Sequence, residues 1–142
     1  ALLSRGLGDV YKRQVFLPTT EAETSENIKE KMIQATSSQT VRSKSRTGKH
    51  SRQLQSAWTD AWDSKDAPEP LPMPLQTIVG EPALAIVSKQ ATLGNEGAKK
   101  LDTYWVGQGI GLVNETISAG QTVQKFKEEF VGAYERITNL VD

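Results

Sequence analysis

The closing segment, residues 118–142, places the strongest constraint on the fold. Ser118 and Gln121 form a capping-box pattern, in which each side chain can bond the backbone N–H of the other residue at a helix N-terminus. Apolar residues then recur at helical spacing, at Val123, Phe126, Phe130, Ala133, Tyr134, Ile137 and Val141. This spacing puts them on one face. The sequence therefore predicts a long amphipathic helix whose apolar face must pack against another part of a protein.

Further helices are predicted upstream from the same periodicity. Ile28, Met32 and Ala35 share a face, which indicates a helix over about Ser25–Ala35. Leu54, Ala57, Trp58, Ala61 and Trp62 form a second stripe, with the two tryptophans predicted to face a core. A third helix is predicted to begin at Pro74 and to break or kink at Gly80–Pro82, where Pro82 can restart a helix that runs through about Gln90. A short fourth helix is expected over Lys99–Trp105. The chain should therefore be mainly α.

Strand signals are few and short. Val15–Pro18 is predicted as the end of a buried strand, because Pro18 stops it. Thr40–Ser45 alternates weakly and fits either a short strand or an extended loop. Asp63–Pro72 is rich in proline and charge, which predicts an extended linker, and Leu93–Gly97 is predicted as a turn. At most one or two short strands are therefore expected.

Composition argues against several classes of function. The 142 residues hold 17 Lys plus Arg, 17 Asp plus Glu and no cysteine, so neither a polyanion partner nor thiolate chemistry is indicated. No apolar run approaches the ~20 residues of a spanning helix, and we expect a cytoplasmic protein without a membrane partner. The single histidine, His50, has no ligand-spaced partners for a zinc site. The basic residues between Arg42 and Arg52 lack interleaved aromatic residues, which favours a solvated loop over a nucleic-acid site.

The first 14 residues have no helical or strand periodicity and do not lead naturally into Val15. Ser4–Gln14 resembles a translated sequencing-library adapter of the transposase type over eleven consecutive residues. We therefore predict that residues 1–14 are a non-native, adapter-like segment and that residues 15–142 are the natural part of the chain. Nucleotide reads that encode Ser4–Gln14 with other synonymous codons would contradict this hypothesis.

Three segments carry a more specific pattern than helical periodicity. Thr47-Gly-Lys-His-Ser-Arg52 resembles the small-Gly-Arg/Lys-x-Ala/Ser-Arg segment that nitronate monooxygenases, the 2-nitropropane dioxygenase-like family, carry late in the chain. Pro70-Leu-Pro-Met-Pro-Leu-Gln76 is similar to the proline-rich Pro-Leu-Gln segment of that family. Tyr104-Trp-Val-Gly-Gln-Gly-Ile-Gly111 resembles its Trp-Ala-Gly-Gln-Gly ending. The order matches, and the resemblance extends over residues 15–142.

The resemblance implies an α/β parent, an FMN-binding TIM-type barrel that oxidises alkyl nitronates with dioxygen. The catalytic histidine of the family would lie upstream of this chain, and Arg13-Gln14 stand where its phosphate-binding Gly-Thr pair would be. We therefore expect no catalytic residue and no metal ligand here, and an inactive C-terminal fragment. Gly107 and Gln108 are the candidates for lining the flavin pocket, although a tight turn explains them equally well.

Other interpretations stay open. The chain could be a stand-alone helical protein-interaction module that docks a partner through the stripe of Trp58 and Trp62. If the chain is part of a flavin enzyme, its sequence does not distinguish nitronate monooxygenases from related flavin barrels such as enoyl reductases, because the discriminating residues would lie upstream. As a fragment, the chain should expose the apolar faces that normally pack on the barrel, and it should be prone to aggregate.

Overall fold

The computed structural model of the protein describes residues 14–140. The helices are α1 (Glu26–Gln34), α2 (Ala57–Trp62), α3 (Leu75–Thr92), α4 (Glu96–Leu101) and α5 (Ala119–Thr138), and the strands are β1 (Thr40–Ser43) and β2 (Ser51–Leu54). Single turns of 3₁₀ helix lie at Ser37–Gln39 and Gln108–Leu112. The predicted mainly helical fragment with at most two short strands is confirmed for this part of the chain.

The two strands form an antiparallel hairpin in which Thr40 pairs with Leu54 and Ser43 with Ser51. The other edge of β2 is taken by the segment around Trp105. Leu54 donates its N–H to the Tyr104 carbonyl at 3.0 Å, and Val106 donates to Arg52 at 3.2 Å. The hairpin is thereby joined to a segment far away in sequence, and the core forms beside this joint. Its buried apolar residues are Ile28, Met32, Leu54, Val106, Ile110 and Val113.

Two predicted helices are shorter than their apolar spacing suggested. The stripe that starts at Leu54 becomes helical only at Ala57, because Leu54 is held in the sheet and Ser56 caps α2 by accepting the Thr59 N–H. Its tryptophans are half-buried and contact each other, with ring centroids 6.1 Å apart. The helix predicted over Lys99–Trp105 is α4, which ends at Leu101 because the following residues pair with β2.

Of the break or kink predicted at Gly80–Pro82, the break does not occur. α3 runs without interruption from Leu75 to Thr92 with Pro82 inside it, and Pro74 is its N-cap rather than its first residue. Proline in a helix interior normally costs about 3 kcal/mol. Tertiary contacts just before Pro82 hold the helix in place, since Gly80 lies against the backbone of the β1–β2 loop and Glu81 binds a residue of that loop.

The other predicted elements are partly confirmed. α1, β1, the irregular linker and the Ser118–Gln121 capping box of α5 are confirmed. The turn after α3 is shorter than predicted, because Asn95 caps α4 and Gly97 is helical. Val15–Pro18 is not a strand: its backbone makes local turn bonds, such as Leu17 N–H to the Gln14 carbonyl at 3.1 Å.

The predicted apolar face of α5 is formed and lies open. Phe130 is 72% exposed, and Val123, Tyr134 and Ile137 are also exposed. Phe126 is the partial exception, since its ring meets the edge of Phe16 at a centroid distance of 6.2 Å. Val141 lies outside the described residues. The expected exposure of apolar helix surface is therefore confirmed for this face.

Candidate functional site

The three segments singled out in the sequence come together around the loop between β1 and β2. Gly48 in this loop has a φ of +78° and lies directly against the proline-rich segment. A Cβ at Gly48 would lie 2.8 Å from the Met73 nitrogen and closer still to the Leu71 carbonyl oxygen. Gln76 completes the contact, because its side-chain amide donates to the Ser45 carbonyl at 2.9 Å and accepts the Leu71 N–H at 3.0 Å. The first two segments therefore form one interlocked unit.

The third segment joins this unit through Arg46 and Trp105. The guanidinium carbon of Arg46 lies 3.6 Å from the centroid of the Trp105 ring, which is a close cation–π contact. Glu81 of α3 accepts two hydrogen bonds from the same guanidinium, at 2.8 and 2.7 Å. Only 7% of Arg46 is exposed, and within residues 14–140 its Nη1 has no hydrogen-bond partner. One side chain thus ties the hairpin loop, α3 and the Trp105 segment together.

The prediction that the basic residues of this loop are solvated is therefore wrong for Arg46, which is buried. This cation is buried because Glu81 supplies its counter-charge and Trp105 its apolar cover. Arg52 is also engaged inside the hairpin, where it donates to the Thr40 hydroxyl at 2.9 Å. His50 of the same loop is exposed. The periodicity of the sequence held no signal for Arg46, because its partners lie in segments distant along the chain.

The two predicted cofactor candidates, Gly107 and Gln108, lie at the start of the second 3₁₀ turn. The side chain of Gln14 forms a two-point contact with Gly107, accepting its N–H at 2.9 Å and donating to its carbonyl at 3.1 Å. The Gln108 carbonyl accepts the Ser37 hydroxyl at 2.7 Å, and a Cβ at Gly111 would lie 2.6 Å from that same hydroxyl oxygen. This packing agrees with a structural turn, and a role in a flavin pocket stays a prediction.

The fit of these residues to FMN is incomplete. A flavin phosphate is held by several convergent donors, typically backbone N–H groups of a glycine-rich loop. Gly107 cannot offer its N–H while Gln14 holds it. The exposed side-chain amide of Gln108 could contact a flavin ring but would not hold a phosphate by itself. These candidates therefore do not form a complete flavin site.

A buried polar cluster lies between α1 and the end of α4. The carboxylate of Asp102 accepts the Asn27 amide at 3.0 Å, and the Lys31 amine donates to the Asp102 carbonyl at 2.6 Å. Burial raises the pKa of the Asp102 carboxyl and lowers the pKa of the Lys31 amine, because both charged forms lose hydration. The cluster holds α1 against the segment that leads to Trp105.

A cavity of about 510 Å³ opens beside this cluster. Its walls include Lys31, Gln39, Gln55, Asp60 and Lys100. Several of these groups already make hydrogen bonds within the protein, since Gln55 donates to Asp60 at 3.0 Å and Gln39 accepts the Thr36 N–H at 2.8 Å.

Within residues 14–140, no three His, Cys, Asp or Glu side chains gather closely enough to hold a metal ion. Nor does that part of the chain contain a helix with the length and apolar character to cross a bilayer.

Comparison with known proteins gives one family and one curated relative. The family model described as "Nitronate monooxygenase" matches residues 1–129. The Mycobacterium tuberculosis protein named "Putative monooxygenase Rv1533" is 46% identical over 144 residues, which cover 99% of this chain and 38% of that protein. No solved structure matches the chain. Both matches include residues of the segment 1–14, whose derivation from an adapter stays a prediction; residues 1–13 also lie outside the described structure.

Proposed function

Because the chain belongs to the nitronate monooxygenase family, we propose that it is the C-terminal part of an FMN-dependent oxidoreductase that oxidises alkyl nitronates with dioxygen. The parent protein would be a TIM-type barrel in the cytoplasm. By itself the chain would be inactive, since the residues that hold the flavin phosphate and move the substrate proton would lie upstream of residue 15.

The observation that supports this proposal most directly is the convergence of the three family-like segments. They are separated by long stretches of sequence, yet the first two are in contact at Gly48, which lies against Leu71 and Met73. Trp105 of the third segment contacts Arg46, the residue just before the first segment, and Arg46 is paired with Glu81, which follows the second. A single folded unit accounts for three segments of this kind lying in contact although they are far apart in sequence. The family match over residues 1–129 supports the same assignment.

The missing flavin-phosphate donors support the inactivity of the chain alone. In the 142-residue chain the Gly107 N–H is bonded to Gln14, the last residue of the segment predicted to be non-native. Active sites of TIM barrels are assembled from many loops at one face of the barrel. A hairpin with five surrounding helices in residues 14–140 does not supply such a face. The flavin site of the parent would therefore be completed by residues outside this chain.

The test is to recover the natural coding sequence around residues 15–142 and purify the encoded protein beside the 142-residue chain. The longer protein should bind FMN, seen as a flavin absorbance spectrum, and consume oxygen when an alkyl nitronate is added. The 142-residue chain is the matched control and should do neither. A longer protein that retains no flavin, or that reduces no flavin with any nitronate, would overturn the proposal. Hydride transfer to an enoyl substrate would instead place it with the related reductases.

The alternative, a stand-alone interaction module, is favoured only by the exposed apolar surface. Its proposed docking stripe is weakened by the half-burial of Trp58 and Trp62, which pack on each other. A natural reading frame that begins close to residue 15, together with a sharp cooperative unfolding transition of the chain, would favour this alternative over the enzyme fragment.

A further inference from the structure

α3 buries Gln76, Gly80, Leu84 and Ala91, whereas several of its large apolar residues face outward. Gln76 is fully buried and Gly80 is buried beside it. On the opposite side of the helix, Ile78 is 69% exposed and Ile86 is 64% exposed, and Leu75 and Val79 are about half exposed. Positions 75, 78, 79, 82 and 86 follow helical spacing, so these side chains form one continuous outward stripe. We call Leu75, Ile78, Val79 and Ile86 the outer stripe.

Contacts among residues 14–140 prevent α3 from rotating so as to bury the outer stripe. Gln76 is fixed by its two hydrogen bonds to the backbone at Ser45 and Leu71. The Cα of Gly80 is so close to the β1–β2 loop that a Cβ there would lie 3.1 Å from the Ser45 carbonyl. Glu81 fixes the rotation of the helix further, because both of its carboxylate oxygens accept hydrogen bonds from Arg46. Polar and steric contacts in the first two turns of α3, at Gln76 and at Gly80 and Glu81, therefore set its orientation, and they leave the outer stripe outward.

The chemistry of the outer stripe calls for an apolar cover. Between Leu71 and Ser88 the only charged residue is Glu81, and its carboxylate is paired with Arg46. No charge is left on this segment to attract an anionic surface or a nucleic acid. Leu71 and Met73 extend the exposed apolar surface beyond the N-terminus of α3. Monomeric proteins rarely leave a contiguous patch of this kind in water.

We infer that the outer stripe of α3 is an internal interface, buried in the parent protein against the part of the polypeptide that lies outside this chain. This inference rests on the proposed function. The relative named above matches this chain over 38% of its length, so more than half of a protein of that size is available as cover. A second copy docked through α3 would leave the apolar face of α5 exposed, whereas a covalently attached barrel can cover both faces at once.

The consequence is that α3 is an inner helix of the parent. It lies between the hairpin unit on one side and the upstream barrel on the other. Because Glu81 and Arg46 connect α3 to Trp105, the contact of the barrel with the outer stripe would also fix the position of the segment that carries Gly107 and Gln108.

Thiol labelling tests this inference, because the 142-residue sequence has no cysteine of its own. In the full-length parent, Ile78→Cys and Ile86→Cys are reacted with a maleimide, and any upstream cysteines are first replaced by serine. Asp66→Cys, in the exposed linker, is the matched control. The two stripe variants should react on the order of 100-fold more slowly than the control under native conditions, and at equal rates in denaturant.

Equal native rates at Ile78→Cys, Ile86→Cys and the Asp66→Cys control would overturn the inference. Protection that is lost on dilution would also overturn it, since a second copy would then be the cover. The result is independent of catalysis, because flavin content and nitronate oxidation are measured separately on the unlabelled parent. A parent that protects the outer stripe but binds no flavin would refute the proposed function and leave the buried interface standing.

Discussion

Gly48→Ala tests whether the hairpin loop and the proline-rich segment are interlocked as the structure has them. Gly48 has a φ of +78°, a region in which an L-residue costs roughly 1–2 kcal/mol. A Cβ would also press on the backbone at Leu71 and Met73, which cannot yield as a flexible side chain would. Overpacking of this kind adds about 1–3 kcal/mol. The expected loss in free energy of unfolding is therefore about 2–5 kcal/mol.

Gly94→Ala is the matched control, because Gly94 has a similar φ of +90° and nothing within 4 Å of a built Cβ. It should lose only the conformational part, about 1–2 kcal/mol. Urea unfolding of both variants, followed by tryptophan fluorescence, measures the difference, and Trp105 reports on the neighbourhood of the loop. A Gly48→Ala variant that is no less stable than Gly94→Ala would refute the interlocked packing, because the steric part of the argument would then be absent.

The remaining predictions concern charge, capping and exposure. Arg46→Met should destabilise the chain by about 2–4 kcal/mol because it leaves the Glu81 carboxylate without its partner; in a double-mutant cycle, adding Glu81→Leu should recover part of that loss, and additive effects would contradict the pairing. Burial raises the pKa of Asp102 above its ordinary 3.8, so the folded chain holds this proton to higher pH than the unfolded chain does. The free energy of unfolding of the wild type should therefore fall, relative to Asp102→Asn, as the pH rises above the ordinary 3.8 of this carboxyl. Urea midpoints that keep a constant difference between the two proteins would contradict this. Ser118→Ala should lose about 1 kcal/mol through its helix cap, measured by thermal unfolding, with no loss expected if the cap is not formed. Phe130→Ser should change the stability of the 142-residue chain by less than about 0.5 kcal/mol and reduce its aggregation in light scattering, whereas an unchanged scattering signal would show that the α5 face does not drive association.

The sequence by itself determined the elements that depend on neighbours three or four residues away. The capping box at Ser118, the apolar spacing of α5 and the extent of α1 were all correctly predicted. The reason is that N-caps and helical faces are local: the donor, the acceptor and the apolar partners lie within one or two turns. The three family-like segments could also be found by inspection, because their residue types are unusual in sequence.

Only the tertiary structure decided how those segments meet. Leu54 was predicted to be helical, yet its N–H is bonded to Tyr104, and a long-range backbone bond outweighed the apolar spacing that favoured a helix. The Gly80–Pro82 segment was predicted to break or kink α3, yet the helix is continuous, and Gly80 and Glu81 hold it to the hairpin loop. In both cases a contact between residues far apart in sequence overrode a preference of about a few kcal/mol or less.

At the candidate site, too, the sequence indicated which residues to consider, whereas contacts between distant segments decided their surroundings. Gly107 and Gln108 were noticed from their glycine-rich context, but the bond from Gln14 that occupies Gly107 could not be inferred from spacing. Arg46 was counted among solvated cations, and its burial depends on a carboxylate and an indole supplied by two other segments. The free energy of burying a charge is set by its final neighbours. For this protein, residue order therefore determined the helices and the family-like segments, and tertiary packing decided which of their side chains are available to a ligand or a partner.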